Sequence, residues 1–279
     1  MSFATDYLGQ LDRFAAGRRL PRVRALHLPP GQPAEDNLGE FCALELDDGS
    51  LGLSYVLLDD TLARMRDEAA RSGLPGSDAM SVARRYLDDR GPWKTIGFAA
   101  ANALTRCLYD RAGFRPDRSA DSIGLMQPGP GDHVGMVGLF TPLVGRILAT
   151  GARLTVLELK AGLAGERDGY RVTLDRAHLA DCTKVIATST LLINDTLDAV
   201  LGCCRAARWF AMVGPSAGCL PDGLFARGVT LVGGTWVHET QGFVAALEAG
   251  AQTGAYAWKF ASTAARYPGW RALVERAGA

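Results

Sequence analysis

The chain has 279 residues, with 30 basic and 30 acidic side chains and a formal net charge of zero. This length suits one large domain or two ordinary ones, and we expect two. The balanced charge offers no electrostatic footprint for nucleic acid or for an anionic membrane surface. The first residues resemble no signal peptide, and no apolar run reaches the roughly 18 residues of a membrane span. We therefore expect a cytoplasmic protein that binds neither nucleic acid nor membrane.

The first part of the chain predicts an α+β arrangement. Apolar spacing indicates helices at about residues 6–16, 59–71, 78–88 and 95–112, a strand at 21–28, and a hairpin formed by 41–46 and 51–57. We interpret Asp60 with Arg64, and Asp67 with Arg71, as ion pairs on a solvated helix face. Pro92 is interpreted as a break before the last helix, whose small residues permit close packing against a neighbour.

A turn-rich stretch, FRPDRSADSIGLMQPGPGD, then indicates a domain boundary. Beyond it we expect strands at residues 133–138, 153–159, 184–188, 208–213 and 228–232, each separated by enough residues for a helix. That alternation predicts a doubly wound parallel sheet. The fold class is therefore α/β, with an α+β first domain at 1–120 and a doubly wound second domain at 121–279.

The six cysteines are scattered, without a C-x-x-C pair. We expect reduced and mostly buried thiols, and we favour core packing over soft-metal binding for the adjacent pair Cys203 and Cys204. No P-loop, H-E-x-x-H, G-x-S-x-G or zinc-type cysteine spacing occurs in the sequence. The usual catalytic motifs therefore name no reaction.

The stretch from His133 to Lys160 reads as strand, glycine turn, helix and strand. Gly138 ends the first strand, and we expect Thr141 to cap the helix with Pro142 at its first position. Glu158 follows Gly138 by 20 residues. Nucleotide-binding folds place an acid against ribose hydroxyls at about this spacing.

The dinucleotide fingerprint is nevertheless incomplete. Phe140 and Leu143 stand where its second and third glycines belong, and the Phe140 ring would lie where a pyrophosphate binds. NAD or FAD in the usual pose is therefore not expected. S-adenosylmethionine, a free anion or a small metal chelate stays open as a ligand, and so does a turn that binds no nucleotide.

Polar residues follow the last three predicted strands, at the edge where doubly wound sheets bind ligands. With the glycines and the proline among them, the residues are Thr188, Ser189, Thr190, Asn194, Asp195, Thr196, Gly214, Pro215, Ser216, Gly233, Gly234, Thr235, His238 and Glu239. Singly, the hydroxyl residues are more often helix caps than ligands. Their convergence at one edge is the stronger indication of a site, and His238 is the one histidine expected there.

Four segments together resemble the two-domain bacterial and archaeal proteins called the putative heavy-metal chelation family. They are WKTIGFAAANAL, GMVGLFTPLV, TSTLLINDTLDAVL and GPSAGCLPDGLFARGVTLVGGTWV, which begin at residues 93, 135, 188 and 214. The resemblance spans nearly the whole chain. It implies an enolase-N-terminal-like first domain, a Rossmann-like second domain and a pocket in the cleft between them. Where the family usually has Asn-Gly-Thr, this chain carries Asp195 in place of the glycine.

The resemblance and the strand-end residues together indicate a shared pocket. We expect one wall from Trp93, Lys94, Thr95 and Asn102, and another from Gly138, Phe140, Thr190, Asn194 and Ser216. Lys94 would supply a cation beside a helix N-terminus, although a Trp-Lys pair can also be a core anchor and a solvated lysine. Candidate cofactor-binding residues are Gly138, Phe140, Glu158, Thr190, Asn194, Gly214 and Ser216, and candidate catalytic residues are Lys94, Ser216 and His238.

Two functions fit these observations. The first is a small-ligand binding or biosynthesis-accessory protein that holds a metal chelate or its precursor between the domains. The second is an enzyme that uses S-adenosylmethionine or another adenosyl compound, with Glu158 on the ribose. The sequence names neither the substrate nor a metal, and it leaves a homodimer open.

Overall fold

The structure, a computed structural model, describes residues 2–31, 40–56, 58, 60–69, 73–88, 91–119 and 125–278. Its described strands form two sheets, one of three strands and one of nine. Within the described part of the chain, no helix has the length and apolar character needed to cross a membrane. The predicted Asp67–Arg71 pair reaches outside the described residues, as does the predicted end of the hairpin at Leu57.

The first sheet is antiparallel, in the order β1-β2-β3, and four helices accompany it. The elements are α1 (Phe3–Ala15), β1 (Val23–His27), β2 (Phe41–Leu46), β3 (Leu51–Tyr55), α2 (Thr61–Ala69), α3 (Ala79–Arg84) and α4 (Pro92–Arg111). The predicted hairpin is confirmed, because β2 pairs with β3 around the turn at residues 47–50. An α+β arrangement follows, as the sequence predicts.

Helix α4 is the central element of this part, and almost all of its length is buried. Pro92 is its first residue, so the interruption falls just before this proline and the helix begins three residues earlier than the predicted Thr95. The first helical position needs no backbone N–H, and the fixed φ of proline suits it. A Cβ at Gly52 would lie 2.1 Å from the Ala99 carbonyl oxygen, and one at Gly97 would lie 2.2 Å from the Tyr86 nitrogen. Close packing through small residues is therefore confirmed.

The second sheet has the order β4-β12-β11-β10-β9-β5-β6-β8-β7. Its strands are β4 (Asp117–Arg118), β5 (His133–Val137), β6 (Arg153–Leu157), β7 (Gly165–Arg167), β8 (Tyr170–Thr173), β9 (Lys184–Thr188), β10 (Trp209–Val213), β11 (Leu231–Val237) and β12 (Ala257–Thr263). Six neighbouring strands in this order are parallel to one another: β11, β10, β9, β5, β6 and β8. Strands β7, β12 and β4 are antiparallel to their neighbours. The predicted parallel-rich α/β fold is confirmed.

The helices that follow in the described part of the chain include α5 (Thr141–Leu148), α6 (Leu197–Cys203), α7 (Asp222–Phe225), α8 (Thr240–Glu248) and α9 (Trp270–Arg276). Thr141 is the first helical residue of α5, and the preceding Phe140 is in the cap position, so the prediction of a Thr141 side-chain cap was wrong. Strand β11 starts at Leu231, three residues later than predicted, and therefore contains Gly233, Gly234 and Thr235.

Buried apolar clusters pack on both faces of the large sheet. On one face, Ala187, Met212 and Val232 from adjacent strands share a buried cluster with Phe98 and Leu104 of α4. On the other face, β5 and β6 pack against α5. The central helix of the first part is thus packed directly against the parallel sheet, which brings residues of both parts close to the strand ends.

Candidate functional site

The parallel sheet reverses its winding direction between β5 and β9. Strand β5 pairs with β6 on one side and with β9 on the other, and ligands of doubly wound sheets bind at the carboxyl ends of strands that meet in this way. Gly138 follows β5 with a φ of 84°, and a Cβ there would lie 3.2 Å from Thr188 Cγ2. Thr188 in turn bonds Thr190, with 2.9 Å between the two hydroxyl oxygens. The candidates Gly138 and Thr190 therefore lie at one edge.

Glu158 also lies at this edge, directly after β6. Its Oε2 accepts a hydrogen bond from the Leu139 N–H at 3.0 Å, and its Oε1 accepts one from the Leu159 N–H at 2.7 Å. The carboxylate thus fixes the glycine turn that precedes α5. Phe140 is half-buried beside the same turn, and its N–H donates to Met136 Sδ at 3.3 Å.

The antiparallel sheet of the first part reaches the same edge. Burial raises the pKa of the Tyr55 hydroxyl to about 12, and the negative charges of Glu40 and Glu158 contribute to that rise. Burial also raises the pKa of Glu40, while the positive charge of Lys160 opposes the increase. Residues at the start of β2 and the end of β3 are therefore close enough to sense charges at the end of β6.

Lys94 is buried in the first turn of α4, with 5 % of its surface exposed. Its Nζ lies 2.9 Å from Asp195 Oδ1 and 5.5 Å from the centre of the Tyr86 ring. The alternative that Lys94 projects into solvent is therefore wrong. Tyr86 is buried as well, its hydroxyl donates to the Leu192 carbonyl, and burial raises its pKa.

Asp195 has a left-handed backbone with a φ of 60°, which is uncommon for a residue other than glycine. The preceding Asn194 is buried, and its Oδ1 accepts hydrogen bonds from the N–H and the hydroxyl of Thr196. This position is where the sequence departs from the Asn-Gly-Thr expected of its relatives. The departure thus supplies the carboxylate that pairs with Lys94.

A cavity of about 60 Å³ has Thr95 and Asn194, the chain neighbours of Lys94 and Asp195, in its wall. It is lined by Leu58, Asp60, Thr61, Arg64, Gly91, Thr95, Ile193 and Asn194. Thr95 and Asn194, predicted on opposite walls of a pocket, therefore line the same space. Arg64 and Asp60 form the predicted ion pair at 3.7 Å, but the sequence interpretation missed that they line a cavity. Their i,i+4 spacing alone does not distinguish a solvated face from a cavity wall.

Asn102 and Ser216 meet elsewhere along α4. The Asn102 side-chain N–H₂ donates to the Ser216 carbonyl at 3.0 Å and to the Leu53 carbonyl at 2.8 Å. A smaller cavity of about 30 Å³ adjoins them, with Pro215, Gly218 and Thr235 in its lining. Gly214 precedes this loop with a φ of 144°.

The structure thus divides the predicted pocket residues between two places on α4. Lys94 and Asn102 are eight residues apart on this helix, which corresponds to a rise of about 12 Å. The shared pocket of Lys94 and Ser216 stays a prediction. His238 is exposed and stacks on Trp258, with 5.1 Å between ring centres. Trp93 is half-buried, and the Arg85 guanidinium carbon lies over its ring, 4.5 Å from the ring centre.

The six cysteines are unpaired, and all except the half-buried Cys203 are buried. Burial raises the pKa of each of the other five thiols to about 12. Core packing of Cys204 agrees with this burial. Among the residues that the structure describes, no group of three or more His, Cys, Asp or Glu side chains could hold a metal ion.

The solved structures that are similar to this chain include two proteins of unknown function from the DUF364 family. The one from Desulfitobacterium hafniense DCB-2 is 19% identical, with a TM-score of 0.66 over 93% of this chain and 99% of that chain. The one from Pyrococcus horikoshii is 18% identical, with a TM-score of 0.68 over 94% and 100%. These similarities show a shared fold.

A weaker similarity connects the chain to a mandelate racemase/muconate lactonizing enzyme from Roseiflexus sp., at 14% identity and a TM-score of 0.34 over 71% of this chain and 82% of that chain. At that score it supports no conclusion. No curated protein matches the chain. The DUF364 family model, described as "Putative heavy-metal chelation", matches residues 121–265, just over half of the chain. The chain therefore belongs to the DUF364 putative heavy-metal chelation family.

Proposed function

We propose that this protein binds a small ligand in the cavity between α4 and the segment after β9, and that the ligand is a metal chelate or its precursor. The family description supports the chelate. The observation that carries the proposal is the composition of the cavity wall. Thr95 comes from the helical first part, Asn194 comes from the segment that follows β9, and both are buried polar residues.

The position of the cavity also supports a binding role. Asn194 belongs to the segment that follows β9, one of the two strands at which the sheet reverses its winding, and ligands of such sheets gather outside those strand ends. Gly91 and Thr95 add the start of a long helix to the opposite wall. A ligand there contacts both parts of the chain and stabilises their packing, so binding should raise the unfolding temperature.

A thermal-shift panel tests the proposal, after mass spectrometry of the protein as purified to identify any ligand that accompanies it. Ferric and zinc citrate represent chelates, and the same metals without citrate are controls. We expect a chelate, and not the metal alone, to raise the unfolding temperature. Thr95→Met fills the cavity and should abolish that rise, whereas Thr141→Met, at an exposed helix start, should keep it. An unchanged rise in Thr95→Met would exclude this cavity.

An adenosyl-ligand enzyme is the second candidate, favoured by Glu158 at the strand edge 20 residues beyond Gly138. If the carboxylate binds ribose hydroxyls, Glu158→Gln should weaken S-adenosylmethionine binding roughly ten- to a hundredfold, the cost of a charged hydrogen bond of about 1.5–3 kcal/mol. Glu166→Gln, at an exposed acid on β7, is the matched control. Calorimetry that finds no adenosyl binding by the wild type removes this candidate.

A related prediction about nucleotides follows from the position of Phe140. Its ring stands where a pyrophosphate would lie, so NAD and NADP at millimolar concentration should leave the unfolding temperature unchanged. A clear upward shift would mean that the turn after β5 accepts a dinucleotide despite this side chain.

A further inference from the structure

We infer that the cavity binds the anionic group of its ligand, a carboxylate or a phosphate, and that Asp195 occupies the place of that group on Lys94 until the ligand binds. This inference rests on the proposed ligand cavity and adds the chemical class of what enters it. It assigns three roles: Lys94 is the cation, Thr95 is a hydroxyl donor, and Asp195 is an internal competitor.

The first observation is how Lys94 is paired. A buried ammonium group is costly unless an anion compensates it, and Asp195 Oδ1 lies 2.9 Å from Nζ. The lysine side chain is 6% exposed, whereas the aspartate side chain is 56% exposed. Asp195 also has the left-handed backbone that a side chain disfavours. The Lys94 ammonium group is thus held inside the protein, whereas the Asp195 carboxylate is exposed enough to rotate into water.

The second observation is independent of the ion pair and concerns Thr95. It is 2% exposed and lines the cavity. Its backbone N–H bonds the Gly91 carbonyl, but its hydroxyl makes no hydrogen bond to any residue that the structure describes. Because Thr95 lines the cavity, this hydroxyl is available to bond an oxygen of a ligand there.

The third observation is the electrostatic character of the wall. Helix α4 has twenty residues, and its cap residue Gly91 provides no side-chain acceptor for the first N–H groups. Such a helix start favours anions. Arg64 also reaches it, since a Cβ at Gly91 would lie 3.7 Å from Arg64 Nη1. Among the described residues, Arg64 and Asp60 line the cavity, and Lys94 and Asp195 are the chain neighbours of the lining residues Thr95 and Asn194. Both aspartate side chains are over half exposed.

The size of the cavity limits what enters it. A volume of about 60 Å³ has room for a few water molecules, so the cavity suits one anionic group of the proposed ligand, and the rest of a chelate would lie outside it. The remainder of the ligand has to extend outward from Asn194 along the strand ends. Carboxylate and phosphate share the required chemistry: a negative charge with oxygens that accept from an ammonium, a hydroxyl and helix N–H groups.

Calorimetric titrations with inorganic phosphate and, separately, with metal-free citrate at constant ionic strength test the inference. Asp195→Asn keeps a residue that tolerates a left-handed backbone and removes the competing charge. If Asp195 occupies Lys94 about nine-tenths of the time, this variant should bind the preferred anion about tenfold more tightly than the wild type. The matched control is Asp198→Asn, which removes an exposed carboxylate three residues away that pairs with Arg227, and it should leave affinity unchanged.

Two further variants test the groups that should bind the anion. Lys94→Gln should bind neither probe, and Thr95→Val, which keeps the side-chain shape, should bind about fivefold more weakly through the lost hydrogen bond. If Lys94→Gln does not fold, Asp195→Asn and Thr95→Val still decide the outcome. Affinity in Asp195→Asn that is equal to or weaker than that of the wild type overturns the inference, as does the absence of binding to both probes.

The outcomes separate this inference from the proposed function. If citrate chelates stabilise the wild type and Asp195→Asn shows no gain for either anion, the inference fails and the ligand cavity stands. If Asp195→Asn binds phosphate more tightly and no chelate stabilises the wild type, the chelate proposal fails and the anion site stands. A gain with phosphate and not with citrate would identify a phosphate-bearing ligand, and the reverse result would identify a carboxylate.

Discussion

Replacing Asn102 by aspartate should test how the two parts of the chain are joined. The Asn102 amide donates to the Leu53 carbonyl of β3 and to the Ser216 carbonyl after β10, and its oxygen accepts from the Tyr7 hydroxyl at 3.0 Å. Asn102 is 2% exposed, so all three hydrogen bonds are buried. Asn102→Asp preserves the shape of the side chain but replaces the two N–H donors with a carboxylate oxygen.

The expected loss follows from those two bonds. Each buried acceptor left without its donor costs about 1–3 kcal/mol, so we expect the free energy of unfolding to fall by about 4 kcal/mol at pH 7. A loss of this size lies within the roughly 5–15 kcal/mol of typical stability, so the variant should still fold.

The loss should depend on pH in a defined direction. Burial and two facing carbonyl oxygens disfavour the charged form, so the pKa of the introduced carboxyl group should be higher in the folded than in the unfolded protein. The folded state then binds more protons, and stability falls as pH rises from the unfolded pKa of about 3.9 to the folded pKa, by up to about 1.4 kcal/mol per pH unit. The difference from the wild type should therefore shrink between pH 7 and pH 5.

Urea unfolding at both pH values measures this effect. Asn102→Leu is the control, because it loses the same donors but does not titrate, and its difference from the wild type should be the same at both pH values. The reasoning fails if Asn102→Asp lies within about 1 kcal/mol of the wild type at pH 7, or if its loss is equally large at pH 5.

Two substitutions and one chemical titration give further tests of the structure. A hydrogen bond from Lys184 is the main cause of the lowered pKa of Asp132. The Asp132 carboxylate should therefore stabilise the fold above about pH 4, and this stabilisation should disappear as the pH falls through the folded pKa. In urea unfolding, Asp132→Asn should lower the free energy of unfolding by about 1–3 kcal/mol at pH 7 and leave it unchanged in strong acid. Gly214→Ala would place a Cβ 2.3 Å from Ser189 Oγ at a φ of 144°, so thermal unfolding should show a loss of about 2 kcal/mol or more that Ser189→Gly relieves only in part. In thiol titration, Cys203 should react first in the native protein and all six cysteines in denaturant; rapid native reaction of several thiols would contradict the burial of the other five.

The sequence predicted five of the six parallel strands, because burial on both faces produces apolar runs such as residues 134–137. It missed β7 and β8, although the Asp168-Gly169 pair between them is a hairpin signal, because the expected alternation of strands and helices was applied there. Strand β12 was also missed. Its half-buried residues produce a weaker pattern, and its pairing with β11 is antiparallel.

The candidate site was predictable only in part. Strand-end positions such as Gly138 and Glu158 follow from local sequence, since the sheet determines which edge they share. The pairing of Lys94 with Asp195 does not, because it joins residues 101 positions apart and depends on how α4 packs against the sheet. The burial of Lys94 could not be read from its neighbours for the same reason.

The pairing of β4 with β12 has a consequence for how the chain is made. Asp117 lies opposite Ala261, so β4, the outer strand of the large sheet, can pair only after the ribosome has added a further 144 residues. The N-terminal part also needs the other end of the chain, because Arg18 Nη2 donates to the Val274 carbonyl at 3.1 Å. During translation the early helices therefore emerge before their packing surface exists, and contacts of such long sequence separation form slowly. A ribosome stalled shortly before residue 257 should hold a nascent chain that proteases cleave readily, and release of the last turns of the chain should make it resistant.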